Sequence, residues 1–232
     1  MPDERLRAAA AFVRQGAVFA DIGTDHAYLP VFLCENDKVA RAFACDIVEG
    51  PLSVAEAHIA ESGFSDRITP ILTEGLTGLE GYGITDIAVC GMGGELIVTI
   101  LSRAAFIKDA RIRLILQPMT HAHDVREYLA KEGFAIVGEC VREAAGKLYF
   151  CFAAEYTGAP YALSRMEAEL GAENISRRPP EKEFCKLLSE KIRSIERRVC
   201  GLTAGGLSVQ KEQEYLNELY RLRDALVSEG AF

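Results

Sequence analysis

No stretch of about 18 consecutive apolar residues occurs in the chain, so no membrane span is expected. The opening residues Met-Pro-Asp-Glu-Arg-Leu-Arg offer neither an apolar segment nor a cleavage site, and secretion is not expected. The seven cysteines include no C-x-x-C pair, and most sit inside apolar runs. That argues against structural zinc and fits free thiols in a reducing cytoplasm. The four histidines form no H-x-x-x-H or H-E-x-x-H pair, and His121-x-His123 has only Asp124 as an acidic neighbour. No metal is therefore expected. No G-x-S-x-G element supports a serine hydrolase. The dinucleotide fingerprint G-x-G-x-x-G is missing too, because Asp25 stands where its second glycine belongs.

What remains is an ordinary globular composition, with 49% hydrophobic and 26% charged residues over 232 positions. That length holds one mid-sized domain and a smaller appendage, divided as residues 1–160 and 161–232. The net charge is −8, and residues 1–160 carry all of it. The segment 175–200 has eight basic residues against four acidic ones, so the total charge does not exclude a polyanionic partner.

Leu6, Ala9, Ala10 and Val13 predict an amphipathic helix over 3–15 that stops at Gly16. Buried strands are predicted at 18–22, 41–46, 68–72, 86–90 and 113–118, with helices at 27–36, 51–62, 95–105 and 124–131 between and after them. Two β-type runs, 134–141 and 147–154, then close a hairpin around Ala144-Ala-Gly146. The fold class expected is α/β: a Rossmann-like seven-stranded sheet, parallel with one antiparallel strand, in the element order of a class I methyltransferase. A NAD-type domain would instead end on a parallel sixth strand. Beyond Pro160, Phe184, Leu188, Ile192, Ile195, Val199 and Leu202 repeat at fours and threes, Ala204-Gly-Gly206 breaks the pattern, and a helix at about 209–227 follows. This predicts a C-terminal helical coiled-coil hairpin.

Four predicted strand ends converge on one crevice. Strand one ends in Asp21 and turns at Gly23, where the backbone can approach a ligand closely. The carboxylates Asp21 and Asp25 disfavour a pyrophosphate and favour a cationic ligand, and S-adenosylmethionine carries both an ammonium and a sulfonium. Asp46 lies 23 residues beyond Gly23, placed to accept two ribose hydroxyls. Glu74 follows strand three, within reach of an adenine amino group, and Gly91-Met-Gly-Gly94 follows strand four. The cofactor-binding set expected is Asp21, Gly23, Thr24, His26, Asp46, Ile47, Glu74, Gly75, Cys90, Gly91 and Met92. Any one of these acids alone would serve equally well as a helix cap or a surface group; their order at successive strand ends carries the reading.

The segments Asp21-Ile-Gly-Thr-Asp-His-Ala-Tyr-Leu-Pro30, Ala44-Cys-Asp46, Gly50-Pro51-Leu52, His58-Ile59, Gly91-Met-Gly-Gly-Glu-Leu96 and Leu114-Ile-Leu-Gln-Pro-Met119 resemble the bacterial tRNA (adenine-22, N1)-methyltransferases, in the same order, over about residues 5–155. The resemblance implies methyl transfer from S-adenosylmethionine to N1 of an adenine in the D-arm region of tRNA. One departure is Thr73-Glu74-Gly75, where the family typically reads Gly-Asp-Gly. On this reading Asp25 and Gln117 face the base, Tyr28 stacks on it and Met92 lines the methyl-transfer site, while His26 either joins the site or only holds its loop. Arg177, Arg178, Arg197 and Arg198 are candidate tRNA contacts. Glu181, Glu183, Glu190 and Glu196 make a solvated, self-neutralised face the competing expectation. The expected partner is tRNA, and the expected state a monomer or weak homodimer in the cytoplasm. The rival readings are another substrate for the same fold, or a non-catalytic S-adenosylmethionine-binding protein.

Overall fold

A computed structural model describes residues 2–230, which form two compact units divided between Ala162 and Leu163. The first unit runs α1 (Glu4–Phe12), β1 (Ala17–Ile22), α2 (Tyr28–Glu35), β2 (Val39–Asp46), α3 (Glu49–Glu61), β3 (Ile68–Leu72), β4 (Asp86–Gly93), α4 (Gly94–Ser102), β5 (Arg113–Thr120), α5 (Ala122–Glu132), β6 (Phe134–Ala144) and β7 (Lys147–Tyr156). The sheet order is β3-β2-β1-β4-β5-β7-β6. β1 to β5 are parallel, and β7 is antiparallel to both β5 and β6. The predicted sheet is therefore the observed one.

Strand alternation sends the sheet's side chains into two cores. On one face Phe19, Ala42 and Ala44 meet α1, α2 and α3 through residues such as Ala9, Leu29 and Ile59. On the other, Ala20, Ile22 and Val89 meet α4 and α5 through Ile97, Leu101 and Leu129. Covering both faces leaves the carboxyl edge of the parallel strands as the place for a ligand.

Three local readings need correction. α1 stops at Phe12, three residues short of the predicted end, and its N-terminus is capped by Asp3, whose carboxylate accepts from the amides of Arg5 (3.0 Å) and Leu6 (3.1 Å). β4 does not open into a loop after Cys90 but continues to Gly93, with irregular pairing to β5 around Gly91 at φ +76°. α4 consequently starts at Gly94, where a Cβ would collide with the carbonyl of His121, and it ends at Ser102 ahead of a 3-10 turn at Ala105–Ile107.

The second unit contains α6 (Arg165–Leu170), α7 (Ala172–Ser176), α8 (Lys182–Ala204) and α9 (Gln210–Ser228). α8 buries Phe184, Leu188, Ile192 and Ile195, while α9 buries Tyr215, Leu216, Leu219, Leu222 and Leu226. Polar pairs Glu196–Tyr220 and Arg198–Glu212 descend one helix as they climb the other, so the two run antiparallel. Val199 and Leu202, predicted on the seam, are only half-buried, because the packing loosens toward the turn. α6 and α7 fall where the sequence predicts no element; α6 is held by a capping box between Ser164 and Glu167, and Arg165 and Glu169 tie it to Glu212 and Lys191.

Candidate active site

The carboxyl ends of β1 to β4 enclose a crevice of two lobes that share Gly23 and Met92 as a common wall. One lobe is lined by Asp46, Ile47, Glu74, Gly75, Leu96 and Arg103, among others. The other is lined by Arg5, Asp21, Asp25, Tyr28, Cys90 and Gly91, with neighbours from α1. Nine of the eleven expected cofactor residues thus line the crevice. Thr24, whose hydroxyl donates to Asp21, and His26 are not among the lining residues.

Asp21 is buried and accepts from the Thr24 hydroxyl at 2.8 Å. Burial pushes its pKa up to about 6, against the lowering effect of that hydrogen bond, and the charge of Asp46 pushes the same way as burial. The turn is pinned to β2, where the amides of Gly23 (2.8 Å) and Thr24 (2.9 Å) both donate to the Cys45 carbonyl. Gly23 has φ +74°, and a Cβ there would strike the terminal methyl of Met92. Asp46 orients its own loop by accepting from the Val48 amide at 2.8 Å. Beside it, Ile47 is 61% exposed and Leu96 51% exposed, large apolar side chains set against a polar-edged cavity. Such a wall suits a planar apolar ring with polar edges.

Glu74 lines the same lobe, but its carboxylate is already paired with Arg103 at 2.7 Å. Arg103 comes from the end of α4, 29 residues away, and no local pattern announces it. Arg5, which reaches the other lobe from α1, was missed for the same reason; it pairs with Asp3 and lies over the ring of Tyr149.

Gln117 is not among the residues that line either lobe. It is fully buried, its Oε1 accepts from the Gly91 amide at 3.1 Å, and its Nε2 donates to the Pro118 carbonyl at 3.1 Å. Both ends of the amide are used on the backbone, and through the Gly91 amide Gln117 holds the end of β4. Asp25 and Tyr28 do line the crevice; Asp25 is exposed and paired with His26 at 3.0 Å. His121, His123 and Asp124 lie together at the end of β5, with both imidazoles 3.1 Å from the Asp124 carboxylate. Both histidines are exposed and Asp124 is half-buried; one nitrogen of each imidazole, His121 Nδ1 and His123 Nε2, is paired with the Asp124 carboxylate.

Of the four candidate RNA arginines, three are in ion pairs: Arg177 with Glu181 (2.6 Å), Arg178 with Glu229 (2.5 Å) and Arg198 with Glu212 (3.3 Å). Arg197 is exposed on α8, beside Lys191 and Arg193. No helix among the described residues is long and apolar enough to cross a membrane, and no disulfide joins any of the seven cysteines, all of which lie among those residues.

A reversed terminal hairpin, strand-end acids in order and a glycine-rich fourth turn together define a class I methyltransferase. Residues 3–152 match the family described as "Methyltransferase domain". A Bacillus subtilis tRNA (adenine(22)-N(1))-methyltransferase is 39% identical over 152 residues, a match spanning 66% of this chain and 64% of that protein's length. A Streptococcus pneumoniae structure, provisionally assigned as a tRNA (m1A22) methyltransferase, is 31% identical with a TM-score of 0.82, covering 97% of this chain and 100% of the other. The same protein has been solved with S-adenosyl-L-methionine. The B. subtilis M1A22 tRNA methyltransferase structure is 29% identical, with a TM-score of 0.79 over 100% of this chain and 99% of that one. The chain belongs to the tRNA (adenine-22, N1)-methyltransferase family.

Proposed function

We propose that this protein transfers a methyl group from S-adenosylmethionine to N1 of adenine 22, in the D-arm region of tRNA, in the cytoplasm. The observation that carries this reading is the two-lobed crevice, in which acids from three strand ends meet Gly91 and Met92 of β4. The residues fit the cofactor. Gly23 turns the backbone at φ +74° beside the crevice, Asp46 offers a carboxylate to a ribose, and Ile47 and Leu96 offer an apolar wall to an adenine. Asp21 supplies the buried negative charge that a cationic amino-acid moiety calls for. Glu74 serves the adenine amino group only by sharing its carboxylate with Arg103.

When bound, the cofactor supplies an electrophilic methyl group on a sulfonium. Adenine N1 has a free lone pair at neutral pH, so no residue has to act as a base. The chain's task is alignment, with the base extruded from its stack and presented in line. Asp25 and Tyr28, on the rim of the second lobe, are the candidate base contacts, with the Asp25 carboxylate stabilising the positive charge that methylation creates. Met92 lines the point between the lobes, and Gln117 acts behind it by fixing the Gly91 amide. No Asn/Asp-Pro-Pro-aromatic loop of the kind used on exocyclic amines follows β4, which favours a ring nitrogen as acceptor.

Residues 1–160 form the cofactor-binding domain on this reading, and residues 161–232 a coiled-coil hairpin domain that presents Arg197 to tRNA phosphates. The test is incubation with radiolabelled S-adenosylmethionine and unmodified tRNA transcripts, followed by nucleoside chromatography. Label in 1-methyladenosine that disappears when adenine 22 is replaced supports reaction and site together. Cofactor binding without label in any tRNA would overturn the proposed substrate.

A further inference from the structure

His26 and Ala27 are consecutive non-glycine residues in the left-handed region, at φ +57° and +53°. L-residues rarely adopt that conformation singly, and two in succession need support from outside the loop. The loop matters because Asp25 precedes the pair and Tyr28 follows it, and both line the crevice. Three contacts provide the support. Ala27 is fully buried against the core. The His26 imidazole pairs with Asp25 at 3.0 Å, fixing the carboxylate to its own loop. From α3, His58 Nδ1 lies 2.6 Å from the His26 carbonyl oxygen, and its ring packs edge-on against Tyr28 with centroids 5.2 Å apart. Tyr28 in turn lies 5.4 Å from the His26 ring.

His58 is not simply part of the α3 core stripe. That stripe is Leu52, Ala55 and Ile59, and His58 stands one position aside, half-buried. A carbonyl accepts only, so Nδ1 must carry the hydrogen, which sets the imidazole tautomer. One side chain thereby grips the strained backbone at His26 and the ring of Tyr28.

We propose that His58 is a positioning residue of the methyl-transfer reaction: it holds the Asp25–Tyr28 loop in its left-handed form and so sets the pose of the substrate base. The proposal rests on the methyltransferase reading above. It does not require His58 to touch cofactor or tRNA, and it separates base alignment from cofactor binding, which belongs to Asp21, Gly23 and Asp46.

Three variants test it. His58→Asn keeps a donor near the Nδ1 position, His58→Phe keeps the ring without a donor, and His58→Ala keeps neither. Circular dichroism first establishes that each is folded. Amide hydrogen exchange of a peptide spanning residues 24–29 is then followed in the free protein, and kcat and KM are measured on tRNA transcripts. The expected result is faster exchange and a kcat lowered about tenfold or more in the Phe and Ala variants, KM for S-adenosylmethionine within about threefold of the parent, and recovery of most of the loss in the Asn variant. A Phe variant with parental exchange and kcat overturns the proposal, as does an Asn variant no better than Phe. If the parent protein methylates no tRNA, the methyltransferase reading fails by itself, and unchanged exchange in the Phe variant would still remove His58 as the loop's anchor.

Discussion

The terminal methyl of Met92 rests against the α-carbon of Gly23, filling the space a Cβ would take and closing the wall between the two lobes of the crevice. Gly23→Ala adds a steric conflict to a backbone already at φ +74°, and the flexible Met92 side chain must then swing into a lobe. S-adenosylmethionine affinity should fall about tenfold or more, measured by calorimetry, while Met92→Ala leaves it within about threefold. The double variant should recover only part of the loss, since the left-handed strain of about 1–2 kcal/mol persists without the clash.

On the proposed reading, in which Asp21 meets the cationic end of the cofactor, cofactor binding should depend on pH. The Asp21 pKa of about 6 in the folded protein lies above the ordinary 3.8, so folding favours the protonated form and stability falls as pH rises between those two values, while above pH 6 the carboxylate predominates. A cationic ligand needs the carboxylate, so below about pH 6 binding must first remove a proton. Affinity should fall by up to about tenfold per unit as pH drops below that point and level off above it. Asp21→Asn should bind weakly, with a flat pH profile; a sloped profile in that variant would place the titrating group elsewhere.

Gln117 holds the β4 turn from within the core. Gln117→Ala leaves the Gly91 amide and the Pro118 carbonyl without their side-chain partner, at a cost of about 1–3 kcal/mol in urea unfolding. Activity should fall with it through loss of kcat, because the displaced turn carries Met92.

Arg126 and Glu139 form a fully buried ion pair, with Arg126 over the rings of Phe150 and Phe152. Arg126→Met strands a carboxylate in the core and should destabilise the first unit by about 3–5 kcal/mol. Arg126→Met combined with Glu139→Leu should recover most of that. Additive losses in a double-mutant cycle would show that the two act independently.

Arg197 is the sharpest test of RNA contact on α8. Arg197→Glu should weaken tRNA binding and flatten its dependence on salt, whereas Arg178→Glu, whose parent side chain is paired with Glu229, should act mainly on stability. An unchanged salt slope in the Arg197 variant would exclude that residue from the tRNA interface.

Much of the fold could be read directly because the strands are short apolar runs ended by Asp21, Asp46 and Thr73-Glu74, and buried parallel strands leave that pattern. Gly91-Met-Gly-Gly94 has the composition of a loop, and only pairing with β5 makes its first three residues strand. α6 does carry a signal, the Ser164-x-x-Glu167 spacing of a capping box, but six residues are too few to add a helical period to it. Gln117 stands in a conspicuous Gln-Pro pair, but sequence cannot say on which side of a strand end a polar side chain is satisfied.

By itself the sequence determined the strand order of chemistry: which carboxylates sit at which strand ends, which turns need glycine, and which helices carry an apolar stripe. Those properties are local, set by period, propensity and backbone freedom over a few residues. The tertiary structure decided the pairings that join distant segments: Glu74 with Arg103, Arg5 with the second lobe, Gln117 with Gly91, and His58 with His26. Side-chain polar groups find partners by proximity after packing, and packing brings together residues that no local pattern relates.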